Sequence, residues 1–89
     1  MFLAKIYITL RPVVNDPQGL TIAGGLKSLG FSSVNSVRVG KYLEVQLDEG
    51  DRAKAQELVV EMCRKLLANP VIEEYRFDLE EMSAPVPTA

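Results

Sequence analysis

The chain has 89 residues, a formal net charge of −2 and no histidine. That length fits one domain whose small core leaves little room for a deep private active site. Without a Lys/Arg cluster, an acidic chain cannot neutralise the several phosphates that nucleic-acid binding demands, and without His the commonest general base and metal ligand is missing.

Residues 2–10 alternate, with Phe2, Ala4, Ile6, Ile8 and Leu10 on one side and Leu3, Lys5, Tyr7 and Thr9 on the other. This predicts a strand with one buried face. Pro12 stops its ladder. Asp16-Pro17 then reads as a helix start, an N-cap acceptor followed by a proline whose missing N–H costs nothing there. Ile22, Leu26 and Leu29, flanked by Ala23, share a face, and Gly30 is the expected left-handed stop. Gly24 and Gly25 sit inside this helix and suggest either a close backbone approach or the loose packing of a tolerant helix.

The stretch Val34 to Asp48 predicts a hairpin. A three-residue loop, Gly40-Lys41-Tyr42, would pair Val39 with Leu43 and Val37 with Val45, keeping apolar residues together. Asp48, Glu49 and Asp51 suit the positive end of a second helix. Its apolar stripe is Ala55, Leu58, Val59, Met62, Cys63 and Leu66. Cys63 therefore belongs to the core edge, and as the chain's one cysteine it admits neither an internal disulfide nor a cysteine-built metal site. Glu61 and Lys65 form an i,i+4 pair. Pro70 pushes Asn69 out of the helical region, so the helix ends by Ala68. Val71 to Glu80 predicts the last strand, with Val71, Glu73, Tyr75, Phe77 and Leu79 on one face.

The order β-α-β-β-α-β is the split pattern of ferredoxin-like domains. The expected fold class is α+β: a single small domain over residues 1–81, an antiparallel sheet and two helices on one face. Tyr7, Arg38 and Arg76, with Leu3 and Ile72, would occupy the other face. Residues 82–89 are expected to be a disordered tail. No apolar run approaches about 18 residues, so no membrane helix is expected. Met1 to Lys5 lack the basic-then-apolar pattern of a signal peptide, which leaves the cytoplasm as the expected compartment. Hydrophobic residues make up 47% of the chain, enough for a core and a surplus for an interface.

Three stretches invite a chemical reading. Gly19 to Gly25 resembles the start of a phosphate loop, but Gly25 and Leu26 stand where Lys and Ser/Thr are required. Glu73, Glu74, Glu80 and Glu81 supply carboxylates, yet Glu73 and Glu74 are strand neighbours pointing to opposite faces, so surface solvation explains them. Arg38, Lys41 and Tyr42 gather two cations and a phenol near the expected hairpin tip. Arg and Tyr are favoured at interface hot spots, which makes these three the candidate interface residues. No catalytic, cofactor-binding or metal-ligating residue is expected on the chain.

Taken in order, Asp16-Pro17-Gln18-Gly19, Val37-Arg38-Val39-Gly40-Lys41-Tyr42 and Met62-Cys63 through Lys65-Leu66-Leu67-Ala68-Asn69-Pro70-Val71-Ile72-Glu73-Glu74-Tyr75 resemble the PurS family over residues 2–81. That resemblance implies a non-catalytic small subunit of phosphoribosylformylglycinamidine synthase, the ATP- and glutamine-dependent amidotransferase of purine biosynthesis. It implies bridging between a PurQ-type glutaminase and a PurL-type synthetase, help in ammonia transfer, and self-association as dimers or tetramers. Mg-ATP and glutamine would be used by the partner subunits. A different reading also fits the element order: a small regulatory ligand-binding domain, with Val14-Asn15-Asp16-Pro17-Gln18-Gly19 as its candidate loop.

Overall fold

The computed structural model describes residues 1–84. The chain runs β1 (Phe2–Leu10), α1 (Pro17–Ser28), β2 (Gly40–Leu47), α2 (Arg52–Met62), a π-helical turn (Cys63–Leu67) and β3 (Glu73–Glu81). β1 lies in the middle of a three-stranded antiparallel sheet, between β2 and β3. Its even-numbered residues build the core as the alternation predicts: Phe2, Ala4, Ile6 and Ile8 are all buried. Leu43, Val45 and Leu47 of β2 stand opposite Ile6, Ala4 and Phe2. Phe77 and Leu79 of β3 stand opposite Ile6 and Ala4. Ala55, Val59 and Cys63 close the apolar layer from the α2 side. Fully burying a side chain such as Ile6, Ile8 or Val59 stabilises the fold by roughly 1.5–3 kcal/mol.

The α+β class, the antiparallel sheet and the two helices hold. Within that frame the hairpin does not form as expected. Gly40, Lys41 and Tyr42 are not a loop; they open β2, which pairs with β1 from Thr9↔Gly40 to Phe2↔Leu47. The pairing along β1 satisfies one edge of β2, and residues 34–39 carry no strand. Those residues are fastened by side chains instead, through Asp16 and Arg38.

α1 begins and ends as its sequence dictates. Asp16 caps it by accepting the Gly19 N–H at 3.0 Å, and Pro17 occupies the first turn. At the other end Gly30 has φ +99°, with Gly30 N–H bonded to the Lys27 carbonyl and Phe31 N–H to that of Leu26, both at 3.0 Å. This pair of bonds is the Schellman arrangement. The apolar stripe of α1 is another matter. Ala23 is buried, but Ile22 and Leu29 are 45% and 76% exposed, and α1 gives no residue to the connected apolar cluster of the sheet and α2. The chain is accordingly long, 49 × 29 × 20 Å with a radius of gyration of 16.7 Å, against about 12 Å for a compact domain of this size.

The second helix also departs from its expected phase. Cys63 to Leu67 form a π turn, closed by the Ala68 N–H on the Cys63 carbonyl at 2.9 Å. Its wider turn rotates the following side chains. Leu66, expected inside, is 84% exposed, while Leu67 packs on the core and Ala68 is buried. Asn69-Pro70 then reverses the chain. The Asn69 side chain accepts the Val71 N–H at 3.1 Å, and the Asn69 carbonyl accepts those of Ile72 and Glu73. β3 therefore starts at Glu73, two residues later than expected, and Val71 is exposed. Of the expected tail, residues 85–89 lie outside the described residues, while Met82 donates its N–H to the Met1 carbonyl at 2.8 Å.

Candidate functional site

The three candidate interface residues occupy three different places. Arg38 lies in the segment before β2, and its Nη2 donates to the carbonyls of Arg11 at 3.0 Å and Val14 at 2.8 Å. Its guanidinium ties loops together and is not on the sheet face where it was expected. Lys41 stands opposite Ile8, on the α2 side of the sheet, with Nζ 3.7 Å from Glu73. Tyr42 stands opposite Tyr7, on the open side. Neighbouring residues of a strand point to opposite faces, so Lys41 and Tyr42 cannot act as one patch.

Tyr42 belongs to a cluster that its expected loop position concealed. Its ring lies 5.0 Å from that of Tyr7, tilted by 43°. On the far side of Tyr7, the Arg76 guanidinium carbon sits 4.0 Å from the ring centroid. The Tyr42 hydroxyl donates to Glu44 at 2.8 Å, and that bond, with burial and the Glu44 charge behind it, pushes the phenol above its ordinary value. Lys5 lies on the same face and pairs with Glu80 at 2.7 Å. The hydrogen bond to that carboxylate raises the ammonium's pKa. The open face thus carries two tyrosines and an arginine in one row, bordered by charged pairs.

The carboxylates read as surface groups behave as ion-pair and turn partners. Glu74 lies 3.8 Å from Arg11, Glu80 pairs with Lys5, and Glu73 accepts the Asn69 N–H at 2.7 Å. Cys63 is fully buried, and desolvation pushes its thiol above the ordinary value. A buried thiol with a raised pKa is a packing group and a poor nucleophile. Among the described residues no group of three or more His, Cys, Asp or Glu side chains is placed to hold a metal ion.

One polar feature was half visible in the sequence. Asp16 is only 4% exposed, yet it is a carboxylate. Oδ1 accepts from Gly19, as an N-cap should, and Oδ2 accepts the Val39 N–H at 2.7 Å. The bonds from Val39 and then Gly19 hold its carboxyl below the usual carboxylate range. In α1 it is Gly19 that has a close neighbour: a Cβ there would overlap the Val37 carbonyl oxygen. Gly24 and Gly25, singled out for that role, have nothing within 4 Å of a built Cβ.

Over residues 3–81 the chain matches the family profile of PurS, phosphoribosylformylglycinamidine (FGAM) synthase. The chain belongs to the PurS family. It is similar to phosphoribosylformylglycinamidine synthase subunit PurS of Bacillus subtilis, 45% identical over 84 residues, which span 94% of this chain and 99% of that protein. Among solved structures it is similar to PurS of Methanocaldococcus jannaschii, one of the subunits of formylglycinamide ribonucleotide amidotransferase. That match has a TM-score of 0.84, 40% identity, and covers 93% of this chain and 100% of the other. It is also similar to a chain in the PurLQS structure of Thermotoga maritima, with a TM-score of 0.80, 31% identity, and coverage of 90% and 99%. PurS relatives thus share the whole described fold, not one motif of it. No helix among the described residues is long and apolar enough to cross a membrane.

Proposed function

We propose that this PurS-family chain is the small subunit of a phosphoribosylformylglycinamidine synthase and acts by holding that enzyme together. The observation that carries this reading is its full-length likeness to PurS subunits, including the chain of the Thermotoga maritima PurLQS assembly. In the reaction, formylglycinamide ribonucleotide, ATP and glutamine give formylglycinamidine ribonucleotide, ADP, phosphate and glutamate. A PurQ-type glutaminase releases ammonia, and a PurL-type synthetase activates the amide oxygen with Mg-ATP and accepts the ammonia. This chain joins the two, assists the transfer of ammonia, and associates with itself, in the cytoplasm.

Its surface supports that division of labour. Cys63 is unsuited to glutaminase chemistry by burial. The open sheet face offers Tyr7, Tyr42 and Arg76, residue types that dominate the energetics of interfaces. The candidate loop of the ligand-binding alternative has its carboxylate, Asp16, engaged by Gly19 and Val39. Reconstitution tests the proposal: glutamine-dependent synthase activity of the PurL-type and PurQ-type subunits is measured with and without this chain. Activity that depends on the chain is expected, and equal activity in both sets would sink the assignment.

A further inference from the structure

The second bond of Asp16 is not needed by any helix. An N-cap requires one acceptor for the first free amides, which Oδ1 supplies to Gly19. Oδ2 reaches instead across 23 residues to the Val39 N–H, at 2.7 Å. It joins the start of α1 to the end of the segment that follows α1. Two neighbours tighten the same place. Arg38 donates to the carbonyls of Arg11 and Val14, in the loop before Asp16. Gly19 leaves room for the Val37 carbonyl, which a Cβ would block.

Little else fixes α1. Its two buried residues are Gly19 and Ala23, the first of them part of this same junction, and the apolar core is assembled without it. The sheet and α2 share that core, with Ile6, Ile8, Val59 and Cys63 fully enclosed. The molecule therefore has a hydrophobic body and a helical arm joined by polar bonds.

We infer that Asp16 is a positioning residue: with Arg38 and the bare Gly19 it forms a clasp that sets the direction in which α1 and residues 29–39 project from the sheet. The sheet and α2 fold without the clasp. The consequence for function rests on the assembly reading above. Exposed Leu20, Leu29 and Phe31 travel with the arm, so its angle decides where other subunits meet them.

Asp16→Asn separates a clasp from a helix cap. Asn caps a helix as well as Asp does, and its carbonyl can still accept from Gly19. Its NH2 group cannot accept the Val39 N–H. Gly19→Ala opens the same junction by bulk, with no change of charge. Amide exchange in the full-length free chain is read for both variants. Exchange of the Val39 amide is expected to quicken about tenfold or more, with β1 and β3 amides unchanged and the double variant no worse than either single one. Unchanged exchange at Val39 in Asp16→Asn overturns the clasp. Loss of protection throughout the sheet overturns it too, because the body would then depend on the junction. In the reconstituted synthase, more Asp16→Asn chain than wild type is expected to be needed for half-maximal activity. An equal requirement, with Val39 exchange accelerated, refutes the functional consequence alone. A wild-type chain without effect refutes the assembly reading and leaves the exchange result standing.

Discussion

The guanidinium of Arg76 and the ring of Tyr42 flank opposite sides of Tyr7, one 4.0 Å from its centroid and the other with its ring 5.0 Å away. The row crosses all three strands of the sheet, since Tyr7 stands opposite Tyr42 in β2 and Arg76 in β3. It turns the open face from a set of unrelated side chains into one connected surface.

That surface predicts a split between stability and assembly. Tyr42→Ala removes an aromatic pair worth about 0.5–1.5 kcal/mol, a modest loss at a half-exposed site. Lys41→Glu exchanges a long pair between half-exposed Lys41 and largely covered Glu73 for two like charges, at an expected cost of about 1 kcal/mol. Both variants should unfold in urea close to the wild type. Tyr42→Ala should nonetheless associate more weakly by sedimentation equilibrium. Wild-type association would clear Tyr42 of an interface role.

Acid should act on Asp16 in a defined window. Its folded pKa is lowered below the ordinary 3.8 by the Val39 and Gly19 bonds. The stability it contributes is therefore fully present above the unfolded value and disappears as pH falls through the folded one. The gap between wild type and Asp16→Asn in Val39 amide protection should stay level from about pH 7 to 5 and close at lower pH. A gap independent of pH down to acid unfolding would contradict this. Lys5 has the opposite sign: Glu80 raises its pKa above 10.5, so its contribution holds below that value and is lost as pH rises through the folded pKa.

The glycines should divide by what a side chain would meet. A Cβ on Gly40 would lie 2.6 Å from the Ile8 carbonyl oxygen, inside the β1–β2 ladder. Gly40→Ala should destabilise by roughly 1–3 kcal/mol through overpacking. Gly24→Ala and Gly25→Ala meet open space in a helix and should each stabilise by up to about 1 kcal/mol. Thermal unfolding of the three variants decides the matter, and a stabilised Gly40→Ala would show that the ladder yields there.

The π turn makes a phase prediction. Leu66→Ala should change stability by no more than about 0.5 kcal/mol, because the side chain is already in water. Leu67→Ala should cost about 2 kcal/mol, near the low end for core leucines. The reverse order in chemical denaturation would restore an uninterrupted α-helix.

What was legible in the sequence was local. Strand β1 shows its buried face by alternation, and Asp16, Pro17 and Gly30 mark the limits of α1, because each feature depends on nearest neighbours along the chain. The expected hairpin does not form, and pattern alone does not exclude it, because Val37, Val39, Leu43 and Val45 pattern equally well as two paired arms or as one strand and a clasped segment. Choosing between them needs the bond from Asp16 to Val39, a contact over 23 residues. Leu66 was placed inside because 3.6-residue periodicity does not foresee one wider turn. Of the candidate interface, Tyr42 reaches the open face, while Arg38 and Lys41 serve a loop junction and the opposite side. Tyr7 and Arg76 were assigned to that face from alternation alone.

The 49 Å length of this small chain has a practical outcome. An elongated particle tumbles and diffuses as a larger sphere would, so it leaves a sizing column early. A calibration built on compact standards will overstate its mass and can turn a monomer into an apparent dimer. Scattering or sedimentation, which weigh the particle without assuming its shape, will give the true copy number.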